Sequence, residues 1–110
     1  MKTYKQKDLG YPRAKTDAKM QLTMSDGSRW EFPVQIIADS RDEYYQDEKE
    51  DTIKYIRRGS LDKFEIEDWA ANNMNASDVL EYMVELPSKK TELDFEEEWT
   101  NAEKEIDGKI

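Results

Sequence analysis

The sequence predicts an α+β fold, a β-hairpin packed against two or three helices, with a possible third antiparallel strand. Three observations carry that expectation. Apolar residues alternate with polar ones across residues 20–36, interrupted by Ser25-Asp26-Gly27. Helical-period apolar stripes then run between residues 41 and 86, bounded by cap and stop signals, and a second alternating stretch follows at residues 93–97.

In the hairpin, Met20, Leu22 and Met24 precede the turn, and Trp30, Phe32, Val34 and Ile36 follow it. A two-residue Asp-Gly turn would place these two apolar sets on opposite faces. A three-residue loop with Gly27 in the left-handed region instead pairs Leu22 with Trp30 and Met20 with Phe32. A one-residue slip reverses every side chain, so the apolar pattern selects the longer loop. Pro33 cannot donate to a ladder, which predicts an edge or a bend at that point.

Asp39-Ser40 reads as the strand's end, and Ser40-Arg41-Asp42-Glu43 as a capping box opening a helix over residues 41–56, with Tyr45, Ile53 and Ile56 inward. The polar run 46–51 is either a solvated middle turn or a break between two shorter helices. Arg57-Arg58-Gly59 supplies a helix stop. Asp62-Lys63-Phe64-Glu65 signals a second helix reaching Asn72-Asn73, with Ile66, Trp69 and Ala70 inward. Ser77 or Asp78 would cap a third, with Val79, Met83 and Leu86 at helical spacing and Pro87 ending it. Leu93 and Phe95 alternate with acidic residues, which suggests a strand able to join the hairpin, and Trp99 would close the core.

This reading gives one small domain over residues 20–99, preceded by a basic flexible arm (1–19) and followed by an acidic tail (100–110). With 36% hydrophobic and 39% charged residues in 110, the core must be small, and three Trp, three Phe and six Tyr supply much of its area. The arm lacks apolar periodicity, so it is expected to be removable. In the rival reading it is a basic hook, for an acidic partner or for the protein's own acidic body, with Tyr4, Leu9 and Tyr11 as its anchors.

Charge divides the chain the same way. Residues 1–19 carry six Lys/Arg against two Asp, and residues 20–110 carry eleven against twenty-four Asp/Glu, for a net −9. Such a body repels nucleic acid and favours basic protein surfaces. With no His and no Cys, the usual neutral-pH proton shuttle and the soft metal ligands are missing, and Cys-His and Ser-His nucleophilic pairs are excluded. The four Gly, at 10, 27, 59 and 108, form no phosphate loop. No run approaches the roughly 20 apolar residues of a membrane span, so a soluble, cytoplasmic protein is expected.

Several segments, Met24-Ser-Asp-Gly-Ser-Arg-Trp30, Glu43-Tyr-Tyr45, Phe64-Glu-Ile-Glu-Asp-Trp-Ala-Ala-Asn-Asn-Met-Asn75 with Ser77-Asp-Val79, and Trp99-Thr-Asn-Ala-Glu-Lys104, together resemble a family of small uncharacterised bacteriophage and prophage proteins over about residues 20–106. The chain departs from that pattern at Ala76, where a larger aromatic is expected, and at Ala102, where Gly is expected. The resemblance implies a phage or prophage origin and a host-cytoplasmic setting, and no activity.

Candidate sites follow from the carboxylates and aromatics. Asp39, Asp42 and Glu43 could bind a hard cation, but helix capping accounts for them, as a solvated strand edge accounts for Glu92, Asp94 and Glu96. Trp30, Phe64 and Trp69 could stack a ligand, but read more simply as core. Asn72-Asn73-Met74-Asn75 is either a helix terminator or a polar recognition loop. The favoured surface is acidic: Glu92, Asp94, Glu96, Glu97 and Glu98, with Asp47, Glu48, Glu50 and Asp51, could present carboxylates spaced like phosphates to a cationic nucleic-acid groove. The expected function is a non-enzymatic phage accessory protein, without cofactor or metal, binding a host protein with a basic surface. It would inhibit a nucleic-acid-directed defence such as a CRISPR effector or a restriction system, as a DNA mimic. It would contact neither nucleic acid nor membrane directly. The alternatives are a self-associating structural or assembly factor and, third, an enzyme using a carboxylate-bound divalent metal.

Overall fold

The computed structural model describes residues 3–86 and 103–110. Over these the fold is α+β: a four-stranded antiparallel sheet with three helices. Strands β1 (Lys19–Thr23) and β2 (Arg29–Pro33) form the hairpin in the expected register, Leu22 opposite Trp30 and Met20 opposite Phe32. Its loop is Ser25-Asp26-Gly27, closed by the Met24 N–H on the Ser28 carbonyl at 2.9 Å, with Gly27 at φ +87. Asp26 stiffens the turn by accepting from the Ser28 N–H (2.8 Å) and hydroxyl (2.6 Å). These bonds hold the Asp26 carboxyl below its ordinary pKa.

Two short strands complete the sheet in the order β3-β2-β1-β4. Strand β3 (Val84–Glu85) pairs with β2, and β4 (Glu103–Asp107) pairs with β1 along all five residues. The expected acidic tail is thus in part a sheet strand, with Ile106 opposite Met20 on the core side. Acidic residues occupy every second position of Glu103-Lys-Glu-Ile-Asp107, but with Ile106 its one apolar residue the run carries no apolar alternation to betray a strand. The proposed strand at 93–97 and Trp99 lie outside the described residues.

Helix α1 spans Val34–Tyr44, and this overturns two expectations. Strand β2 stops at Pro33, and the helix starts at once rather than at Arg41. The alternation that suggested a longer strand is equally a helix's first turn, since Val34, Ile36, Ile37 and Ala38 are all buried. Pro33, with φ −64, suits the position before a helix, and the Val34 N–H donates to the Ala18 carbonyl at 3.0 Å. Ser40 is therefore inside the helix and caps nothing.

The polar run is a break: α1 ends, a 3-10 turn covers Gln46–Glu48, and α2 covers Thr52–Arg57, with Asp51 as its N-cap. Gly59, at φ +77, follows the end of α2 as expected. Helix α3 (Phe64–Asn73) begins where Asp62 accepts from the Phe64 N–H at 2.8 Å. The expected third helix beyond it is replaced by two 3-10 turns, Ala76–Asp78 and Leu80–Tyr82, before β3. An Asn75–Asp78 capping box closes the first turn on itself, and Met83 is already extended.

The apolar core lies between the inner face of the sheet and the helices, with Met20, Leu22, Phe32, Val34, Ile37, Ile53, Ile66 and Val79 almost fully buried. Opposite it, Gln21, Arg29 and Asp107 share a polar outer face, with Gln21 bridging to Asp107 at 3.3 Å and Arg29 donating to Gln21. One buried and one wet face is the usual economy of an antiparallel sheet.

Residues 3–17 are irregular in conformation but packed along α1. Gln35, Asp39 and Asp42, at i, i+4 and i+7, form a buried polar stripe that meets this segment. Arg13 donates to Asp39 at 2.8 Å and to Asp42 at 2.9 Å, with all three side chains no more than 1% exposed. Tyr4 donates to Asp39 at 2.5 Å and the Lys7 N–H at 2.9 Å. Thr16 donates its N–H to Gln35, Ala14 to Asp51, and Tyr11 its hydroxyl to the Glu50 carbonyl. The segment is therefore the hook on the protein's own acidic body; Asp39 and Asp42 serve it rather than capping α1, and Asp42 also accepts from the Thr52 N–H at 2.9 Å at the start of α2.

Candidate functional site

Helix α1 presents three faces. Val34, Ile37 and Ala38 join the core, the Gln35 stripe meets the N-terminal segment, and Ile36, Ser40, Glu43 and Tyr44 line an open groove of about 740 Å³. Its far wall comes from the end of α3 and the 3-10 turns: Trp69, Asn73, Met74, Asp78, Glu81 and Tyr82. Tyr4 and Lys7 of the N-terminal segment close one end.

An aromatic cluster sets the groove's character. Tyr44 is 73% exposed, an unusual position for a ring of that size. Its centroid is 5.5 Å from Trp69 and 4.8 Å from Tyr45, and Tyr45 is 5.9 Å from Trp69. The Trp69 indole N–H donates to the Ser40 hydroxyl at 3.0 Å, which fixes the ring's orientation. Tyr4 and Tyr82 pack edge to face at 5.1 Å. Among the described residues the charged lining is Glu43, Asp78, Glu81 and Lys7, whose ammonium is 2.7 Å from Glu43.

Burial, then the bond to Asp39, raises the Tyr4 pKa above the ordinary phenol value, so Tyr4 stays a neutral donor. Burial also raises Asp42, against the hydrogen bonds from Thr52 and Arg13. For Arg13, burial acts downward but the bonds to Asp39 and Asp42 prevail, and its pKa ends above the ordinary value. These groups form a hydrogen-bonded structural network beside the groove.

The sequence-predicted acidic surface is divided. Asp47 and Glu48 are exposed on the 3-10 turn after α1. Glu50 is half-buried with Arg41 at 3.6 Å. Asp51 is buried and capping α2, accepting from Ala14 and Lys54, so it cannot face a partner as expected. A cap must sit against its helix, and here the N-terminal segment covers it. Glu92, Asp94, Glu96, Glu97 and Glu98 lie outside the described residues.

The three aromatics considered for stacking fall on separate elements. Trp30 packs half-buried against the core, Phe64 is 60% exposed at the start of α3, and Trp69 makes its ring contacts with Tyr44 and Tyr45. Asn72 bonds back to Asp68 and Asn75 forms the capping box, which is the helix-terminator reading of that run. Sequence reasoning took Glu43 for a helix-cap carboxylate and did not single out Tyr44 as a surface group. With α1 started at Val34, the spacing Ile36, Ser40, Glu43, Tyr44 places them on one face.

Among the described residues no group of three or more side chains is placed to hold a metal ion, and no helix is long and apolar enough to cross a membrane. Comparison with protein-family models, curated proteins and solved structures returned no match to this chain.

Proposed function

We propose that this protein is a non-catalytic binding protein whose partner is a protein with a basic surface. The observation that carries this reading is the groove, where exposed and half-buried aromatics supply contact area and, among the described residues, three carboxylates stand with one ammonium. Aromatic residues are enriched at protein interfaces, and a patch of one charge selects a partner surface of the opposite charge. Asp47 and Glu48 and the chain's net charge of −9 add to the same long-range field. The acidic charge extends the reading to a role: a partner whose basic surface is a nucleic-acid groove, as in a host nucleic-acid-directed defence protein, would be occupied there.

Affinity capture on the immobilised full chain, with stepped salt elution and DNA as a competitor, tests this. The expected captured protein is basic, elutes steeply with salt and is displaced reciprocally by DNA. Binding that is indifferent to both salt and DNA would reject the reading.

A further inference from the structure

The geometry points to a guanidinium site in the groove, in which an arginine side chain of the partner stacks on Tyr44 and Trp69 and is closed by Glu43. This rests on the reading that the partner is basic and names the contact that would select it.

The aromatic cluster already holds one guanidinium. Arg41 lies over the Tyr45 ring at 5.1 Å to its centroid, on the side toward α2, where Arg41 also donates to Thr52 at 3.1 Å. The same chemistry recurs at Arg58, which lies 4.8 Å over Tyr55. Tyr44, in ring contact with both Tyr45 and Trp69, offers the other side of the cluster to solvent. A cation placed there meets an aromatic wall and a carboxylate together.

Charge decides the occupant. Glu43 stands one residue from Tyr44 on the groove face of α1, and its carboxylate already holds the Lys7 ammonium at 2.7 Å. That pair is about half exposed on both sides, so it is weakly held and open to exchange. A planar guanidinium can stack and donate in its own plane at once, which a compact ammonium cannot. Trp69 is fixed by Ser40 and need not reorganise to receive it. An acidic or purely apolar occupant would leave the carboxylates Glu43 and Asp78 opposed or desolvated.

The test titrates the full chain with three short synthetic peptides of Gly, Ser and Lys. The first has a central arginine, the second citrulline at that position, and the third has Glu in place of every cation. Binding constants are read together with the Trp69 indole N–H resonance. The arginine peptide is expected to move that resonance and to bind about fivefold more tightly than the citrulline peptide. Tyr44→Ala and Glu43→Gln should each weaken the arginine peptide severalfold while the chain stays folded, with a melting temperature lowered by no more than a few degrees, because both side chains are exposed.

Equal binding of arginine and citrulline peptides would overturn the site. So would salt-sensitive binding that neither moves Trp69 nor responds to Tyr44→Ala, although the basic-partner reading would then stand. Neither cationic peptide binding better than the Glu peptide would sink both. Sedimentation that shows a dimer abolished by Tyr44→Ala would give the groove to a second copy and also overturn the proposal.

Discussion

The two sides of α1 are held by opposite means. Toward the sheet, Val34 and Ile37 bury apolar area against Met20, Leu22 and Phe32, and the contact has no direction beyond shape. Toward the N-terminal segment, Gln35, Asp39 and Asp42 bury polar and charged groups, all satisfied by Tyr4, Lys7, Arg13, Thr16 and Thr52. The first arrangement tolerates loss in proportion to area. The second tolerates little, because removing one partner leaves the others charged in a place without water. One helix can therefore have nearly every residue of its first two turns buried and still present a polar stripe.

The largest expected effect follows from removing that second side. Deleting residues 1–17 should cost at least about 5 kcal/mol, enough to unfold a marginally stable domain, since Asp39 and Asp42 would lose Arg13 and Asp51 would lose Ala14. Circular dichroism and thermal melting of the truncated chain check this. A melting temperature within a few degrees of the intact chain would restore the removable arm that the sequence suggests.

Phe32→Ala tests the apolar side. The ring is 1% exposed, and its loss should cost about 3–5 kcal/mol in denaturant unfolding, with little dependence on salt. A cost below about 1 kcal/mol would show that the hairpin's inner face is loosely packed.

Tyr4→Phe is smaller. It removes one donor from Asp39, which keeps Arg13, Gln35 and the Lys7 N–H, so about 1–2 kcal/mol is expected by the same measurement. No change would place the Tyr4 hydroxyl outside the network.

The smallest effects separate the two regions by sign. In the hairpin turn, the Ser28 bonds lower the Asp26 pKa, so its contribution is present above the unfolded value and lost as pH falls through the folded one. Against the N-terminal segment, burial raises Asp42, so its contribution is present at low pH and lost as pH rises through its folded value. Carbon-detected carboxyl titration should find Asp26 below and Asp42 above the ordinary aspartate midpoint. The reverse order would contradict both assignments.

This contrast also explains what the sequence made legible. The hairpin register could be read because apolar alternation on both sides of Ser25-Asp26-Gly27 leaves one consistent pairing. The break at 46–51 and the stop at Gly59 are local chemistry as well. The start of α1 was hidden because Val34 and Ile36 fit a strand and a helix equally until Ala18 is known to receive the Val34 N–H. The N-terminal segment was hidden for a deeper reason: Arg13 finds its partners 26 and 29 residues away, and a lone Arg between Pro12 and Ala14 carries no periodic signal. The groove is legible only once α1 begins in the right place, since Ser40 reads as a cap until it is seen accepting from Trp69.

The claim that charge fastens the N-terminal segment to α1 is tested most directly by a double-mutant cycle joining Arg13→Met and Asp42→Asn, with stability measured by denaturant unfolding. The guanidinium and carboxylate are 2.9 Å apart and almost fully buried, so a coupling of about 2–3 kcal/mol is predicted, the double variant being much less damaged than the two single costs together imply. Additive costs, with coupling under about 0.5 kcal/mol, would contradict the account and leave the segment held by its remaining contacts alone.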